Sequence, residues 1–168
     1  MNSLTELAFR NMELYFRDRT SVLLSLLAEV IIMVLYIVFM RDNLLESFQG
    51  LEKTDAIFDA WMIAGILGIT PVTAAMGVYG IMIEDISGKR DRDFVISPLG
   101  DLSIMSSYMI SAAISAILMS LIVFILSEMY MELMYDEMVG IGNTAKIYSM
   151  LLINSVCCAA MTILPVMF

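Results

Sequence analysis

Long runs of apolar residues alternate with short polar stretches along the chain, and four of these runs are long enough to cross a membrane. They cover residues 22–40, 60–83, 102–127 and 147–168. A helix needs about 20 apolar residues to cross the hydrocarbon core. Backbone groups in lipid must pair within the protein, which excludes an open sheet. The pattern therefore predicts an all-α integral membrane protein with four transmembrane helices, forming a single domain over residues 1–168.

The residues before the first run predict an amphipathic helix at 3–19. Four charged side chains recur at helical spacing on one narrow face: Glu6, Arg10, Glu13 and Arg17. Apolar residues cover most of the remaining surface. Such a helix lies in the headgroup plane beside the first span. A helix packed on a protein partner is the alternative.

Composition agrees with the membrane assignment. Apolar residues make up 60% of the chain and the mean hydropathy is +0.87, far above the values of a soluble domain. Of the nine Lys and Arg residues, six lie at the N-terminus and in the loop 84–101, and three lie on the other side. The positive-inside rule then predicts that the N-terminus lies in the cytoplasm. The expected location of the protein is the plasma membrane. With a net charge of −9, we expect no nucleic-acid partner.

The second and third spans carry small and hydroxyl-bearing residues at helical spacing. In the second span, Ala60, Ala64 and Gly68 are spaced for close approach of another helix, and Pro71 predicts a kink. In the third span, two stripes predict a face buried against protein: Ser111 and Ser115, and Ala112, Ala116 and Ser120.

Two polar residues lie inside the predicted spans. Glu29 is the only charge in the first span, and an intramembrane acid is a functional candidate by default. The alternative is a glutamate that only holds helices together. Asn154 in the fourth span is a plausible partner for Glu29 if the two helices are neighbours. These two residues form the predicted intramembrane polar site.

Two polar segments on the far side of the membrane complete the layout. Residues 41–59 predict a short acidic external loop, with Trp61 marking the start of the second span. Residues 128–138 alternate acids with methionines, which predicts a short interfacial helix anchored by Tyr130 and Tyr135. Methionine thioethers also bind copper(I), which is the weaker interpretation of this segment.

Several kinds of chemistry have no residues to support them. The chain contains no histidine, and its two cysteines, Cys157 and Cys158, are adjacent on a predicted helix. Gly88-Lys89 lacks the upstream glycine and the hydroxyl of a phosphate-binding loop. We therefore expect no catalytic residues, no metal and no cofactor bound by this chain.

The loop at 84–101 is the longest polar gap between two uncharged spans. It contains five acidic and three basic residues around a short apolar cluster, Phe94, Val95 and Ile96. An apolar cluster with a polar rim suits a protein interface. An ordinary solvated loop is the alternative.

The order of these parts resembles the permease subunits of ABC exporters of the ABC-2 type. The resemblance is found in two places. The first is the amphipathic helix with Phe9-Arg10-Asn11 before the first span. The second is the run of motifs after the second span: Ile83-Glu84-Asp85, Gly88-Lys89-Arg90 and Phe94-Val95-Ile96-Ser97-Pro98. The resemblance implies that residues 3–19 form the elbow helix. It also implies a loop that docks on a separate ATPase subunit through Glu84, Gly88, Arg90, Phe94, Val95, Ile96, Ser97 and Pro98. Family members usually have six spans, so this chain corresponds to about the first two thirds of that fold, as if truncated after the fourth span.

The expected function is a permease subunit of an ATP-driven exporter, working with an ABC ATPase that binds the ATP and with a second permease in the lipid bilayer. The competing prediction is a small non-transporting membrane protein, such as an immunity, sensor or assembly factor, that acts through helix–helix contacts. The sequence does not reveal a substrate.

Overall fold

The computed structural model describes residues 3–48, 53–88, 101–135 and 141–166, and every one of these segments is helical. The elements in chain order are α1 (Ser3–Arg17), α2 (Arg19–Leu35), a π-helical turn (Tyr36–Met40), α3 (Arg41–Ser47), α4 (Thr54–Ser87), α5 (Asp101–Tyr135) and α6 (Ile141–Val166). The predicted all-α class is confirmed for the described part of the chain. Four helical segments are long and apolar enough to cross a membrane: Arg19–Ser47, Thr54–Ser87, Ser103–Tyr135 and Asn143–Thr162.

The helices extend well beyond the predicted spans. At 34 residues, α4 is about 51 Å long, against about 30 Å of hydrocarbon. Hydropathy marks only the part that crosses lipid, whereas a helix continues into the headgroups and water wherever packing supports it. The predicted 41–59 loop is therefore wrong in large part, because α3 and the first turn of α4 occupy it. The predicted interfacial helix at 128–138 is likewise wrong, because α5 continues unbroken to Tyr135.

The core of the bundle lies between α4 and α5, with α6 and α1 packed against them. One buried cluster joins Ala74, Val78 and Tyr79 of α4 to Ala112 and Met119 of α5. The Tyr79 hydroxyl donates to a backbone carbonyl of α6 at 2.7 Å. The predicted buried stripes of the third span are confirmed, since all five of their residues have no exposed surface.

Helix α1 packs on the bundle through one face. Its buried residues are Leu7, Ala8, Asn11 and Tyr15, and Tyr15 is completely enclosed. Tyr15 reaches α4 at Gly77, where an added Cβ would lie 2.4 Å from the tyrosine ring. The predicted helix is thus present, and its buried face contacts this same chain.

The small residues of α4 divide between two surfaces. Ala60, Ala64 and Gly68 are exposed, so the close approach predicted for that stripe does not occur within the described chain. Close approach occurs at Gly77 instead. Gly77 lies on a different face of α4 from Ala60, Ala64 and Gly68, and spacing along one helix does not show which of the two faces meets another helix.

Helix α2 has the least buried surface of the four spanning segments. Leu23, Leu24, Leu27, Val30 and Ile31 are all exposed along it. A surface of this kind is stable against lipid and unstable in water. Asp18 caps the helix by accepting a 3.0 Å hydrogen bond from the Thr20 N–H. A second bond, from the Ser21 hydroxyl, holds the pKa of Asp18 below its ordinary value.

Candidate functional site

Within the described segments, three acidic side chains are buried: Asp59, Asp85 and Glu29. Asp59 and Asp85 are both on α4, 26 residues apart, which corresponds to about 39 Å along the axis. This spacing exceeds the hydrocarbon thickness by a small margin, so a membrane crossed by α4 would have one aspartate near each of its two boundaries. We call the end that contains Asp85 and α1 the proximal end, and the end that contains Asp59 the distal end.

At the distal end, the Asp59 carboxylate accepts four hydrogen bonds. Oδ1 accepts from the Tyr36 hydroxyl at 3.1 Å and from Arg41 Nε at 3.3 Å. Oδ2 accepts from the hydroxyls of Tyr130 at 2.9 Å and Tyr135 at 2.7 Å. A carboxylate has about four lone-pair sites, so Asp59 is saturated. We call these five residues the Asp59 network.

Three helical segments deliver the partners of Asp59. The π-helical turn Tyr36–Met40 closes with the Arg41 N–H bonded to the Tyr36 carbonyl, one residue further back than in an α-helix. The extra residue in this turn sets the register at which Tyr36 and Arg41 both reach Asp59. The distal extension of α5 supplies Tyr130 and Tyr135. The network therefore ties the π-helical turn and α3 to α4 and α5.

At the proximal end, Asp85 occupies the last turns of α4 and is 3% exposed. Its Oδ2 accepts a 2.8 Å hydrogen bond from the Tyr108 hydroxyl of α5 and lies 3.6 Å from Arg10 Nη2 of α1. These three residues form the Asp85 network. It joins α1, α4 and α5 within three residues of Gly88, the C-cap of α4.

Glu29 lies between the two networks, on α2. It is 6% exposed, and its Oε1 is buried without a hydrogen-bond partner in the described part of the protein. Glu29 lines a cavity of about 250 Å³ between α2, α4 and α5. Tyr130 of the Asp59 network lines the same cavity.

The pairing with Glu29 that was expected if the two helices were neighbours does not form, because Asn154 is directed to α4. Its amide nitrogen lies 3.3 Å from the Gly68 carbonyl and 3.5 Å from the Leu67 carbonyl. Pro71 has no N–H, so the Leu67 carbonyl lacks its usual donor four residues along the helix. Asn154 of α6 occupies that position, which gives it a structural role in satisfying the interrupted backbone of α4.

Most of the predicted ATPase-docking residues lie outside the described residues: Arg90, Phe94, Val95, Ile96, Ser97 and Pro98. Of the two that are described, Glu84 is exposed in the last turn of α4, and Gly88 is its C-cap, with its N–H bonded to the Glu84 carbonyl at 2.9 Å. The predicted loop boundary therefore moves, because residues 84–87 belong to α4. The buried acid of this motif is Asp85, the neighbour of the predicted Glu84.

The Asp59 network was not predicted from the sequence. Arg41 and Asp59 appeared as the two ends of a loop, and the tyrosines appeared as separate interfacial anchors. One signal was available: an arginine directly after one span and an aspartate directly before the next are spaced to pair across a short hairpin. The tyrosines of the third span had no comparable signal, because their contact depends on the length of α5.

In the part of the chain that the structure describes, no three His, Cys, Asp or Glu side chains converge as metal ligands. The methionines at the distal end of α5 include Met129 and Met134, both exposed.

Comparisons with protein-family models, with curated proteins and with solved structures found no significant match to this chain.

Proposed function

We propose that this protein is the permease subunit of an ATP-driven exporter of the ABC-2 type, and that a separate ATPase acts on it through the loop between α4 and α5. The chain would form the transport path with a second permease. This proposal rests on the sequence resemblance and on the placement of one buried acid.

The observation that supports the proposal is the position of Asp85. The network of Asp85, Arg10 and Tyr108 ties three helices together within three residues of Gly88, where α4 ends. A displacement applied to the following loop would therefore act on α1, α4 and α5 as a unit. A simple solvated loop would need no such connection at its base.

The long helices provide a way to transmit this displacement. Helices α4 and α5 flank the loop, run unbroken across the bundle, and are tied again by the Asp59 network. Movement of their proximal ends would change the angle between permeases and expose the transport path alternately on the two sides. ATP binding and hydrolysis in the partner would supply the free energy.

The test is association with a candidate ABC ATPase, measured by co-purification and by ATPase activity in nanodiscs. We expect Phe94→Asp to weaken association by about 30-fold or more, because a charge replaces an apolar interface anchor. Phe94→Leu is the matched control and should retain association. Asp85→Asn should retain association but reduce stimulation of the ATPase by this chain.

The outcome of this experiment separates the two function classes. Unchanged association and unchanged transport in Phe94→Asp would refute the coupling role of the loop. The non-transporting alternative has support of its own in the exposed Ala60, Ala64 and Gly68 stripe, a surface suited to a helix from another protein. Association that is lost in Gly68→Leu and retained in Phe94→Asp would favour it.

A further inference from the structure

Glu29 is a buried acid with an open oxygen in an apolar cavity. Seven of the ten residues that line the cavity are apolar, and the other three are Glu29, Ser127 and Tyr130. A carboxylate in such surroundings is strongly unfavourable without a counter-charge. In contrast to Asp59 and Asp85, which have arginine partners, Glu29 has no cationic side chain among the residues that line its cavity.

The two hydroxyl groups that line the cavity donate to other acceptors. Ser127 donates to the Val123 carbonyl at 2.8 Å, and Tyr130 donates to Asp59 at 2.9 Å. Thr70 of α4 lies outside this lining, and its hydroxyl is placed between the Ile66 carbonyl, at 2.9 Å, and Glu29. The cavity thus presents hydrogen-bond acceptors to a ligand. A cavity whose polar groups accept hydrogen bonds and include a carboxylate favours a ligand that donates hydrogen bonds, and most strongly a cationic one.

The volume of the cavity and its opening limit the kind of ligand that it can bind. A dry cavity of about 150 Å³ holds a benzene molecule, so about 250 Å³ has room for one ring and a short chain. Val30 and Leu126 line the cavity and are themselves exposed, so it is reached from the lipid-facing surface. The aromatic ring of Tyr130 adds a surface that attracts cations.

We propose that the cavity between α2, α4 and α5 binds a small hydrophobic ammonium ion, with Glu29 as its counter-ion. The apolar walls hold the hydrocarbon part of the ligand, and the open Glu29 oxygen accepts from the ammonium group. This proposal does not depend on an ATPase partner and stands or falls separately from the exporter assignment.

The test uses the full chain in nanodiscs and labelled 2-phenylethylammonium as the probe, with binding measured by equilibrium dialysis. We expect Glu29→Gln to weaken binding at least about tenfold, because it removes the charge and keeps the shape. Glu13→Gln removes an exposed carboxylate of α1 and should leave binding unchanged. The neutral analogue 2-phenylethanol should bind weakly to wild type and equally to both variants.

A second variant covers the case in which Glu29→Gln is unstable. Leu126→Trp fills the mouth of the cavity from its exposed side and leaves Glu29 in place, and it should also abolish binding of the ammonium probe. Equal binding of the ammonium and the alcohol would show an apolar space filled without regard to charge and would overturn the proposal. Wild-type affinity in a folded Glu29→Gln variant would overturn it as well.

Discussion

Removing the Asp59 carboxylate should be among the most damaging single changes to the bundle. Asp59→Ala deletes the acceptor of four hydrogen bonds and leaves the Arg41 guanidinium, which is 23% exposed, without its closest counter-ion. Breaking a buried ion pair from one side costs about 3–5 kcal/mol. The four hydrogen bonds do not add fully to this, because Tyr130 and Tyr135 are only partly buried and their hydroxyls can regain water.

We therefore expect Asp59→Ala to lower the free energy of unfolding by about 3–5 kcal/mol. Asp59→Asn keeps one acceptor oxygen and the side-chain shape. We expect it to lower the free energy of unfolding by about 1–3 kcal/mol, because the charge-assisted hydrogen bonds are lost. The assay is reversible denaturation in detergent micelles, monitored by circular dichroism. Tyr36→Phe should lower the free energy of unfolding less in the Asp59→Asn background than in the wild type, since the Tyr36 hydroxyl and the Asp59 carboxylate form one hydrogen bond with each other.

Asp55 provides the matched control. Its carboxylate lies 3.6 Å from the same Arg41 guanidinium, but its side chain is 54% exposed. An exposed ion pair contributes about 0–1 kcal/mol, so Asp55→Ala should be nearly neutral. If Asp59→Ala proves no more destabilising than Asp55→Ala, the Asp59 network does not hold the distal end together.

Two further predictions concern the packing of α4. Gly77→Ala should displace Tyr15 and destabilise the protein by about 1–3 kcal/mol, the usual cost of overpacking, whereas Gly68→Ala should be neutral or slightly stabilising because an added Cβ there meets nothing within 4 Å. Thermal unfolding of the purified variants checks both, and equal effects would contradict the contact with Tyr15. Asn154→Ala should cost about 1 kcal/mol in the wild type but less in a Pro71→Ala background, because alanine restores the missing backbone donor. A double-mutant cycle measures this coupling, and additive costs would contradict it.

The number and approximate position of the spans were predictable because lipid imposes a length and forbids unpaired backbone groups. The buried stripe that contains Ser111 and Ser115 was predictable for a related reason: hydroxyl groups on a membrane helix favour protein over lipid. Neither argument fixes where a helix stops in water. The error at Tyr135 arose there, since the end of α5 depends on its contact with Asp59 from another helix.

The candidate sites likewise divide into residues that could be predicted from their own segment and residues whose role depends on another helix. Glu29 was predictable because a single acid in an apolar run is anomalous within its own segment. The partners of Asp59 and Asp85 were not predictable, because each lies on a different helix and depends on the rotation of that helix. Asn154 shows the limit most clearly: its polarity inside a span was evident, yet its target was an acceptor on another helix that Pro71 had left open.

The arrangement of α4 links the two proposals physically. Pro71 divides the helix into a distal arm of about 18 Å up to Asp59 and a proximal arm of about 21 Å up to Asp85. Each arm is fixed at its outer end by a saturated or ion-paired aspartate. The backbone between the arms lacks one hydrogen bond and relies on the long contact from Asn154. A displacement imposed at Asp85 is therefore absorbed most easily at Pro71, directly beside Thr70 and the cavity of Glu29. Movement of the proximal arm should consequently change the shape of this cavity.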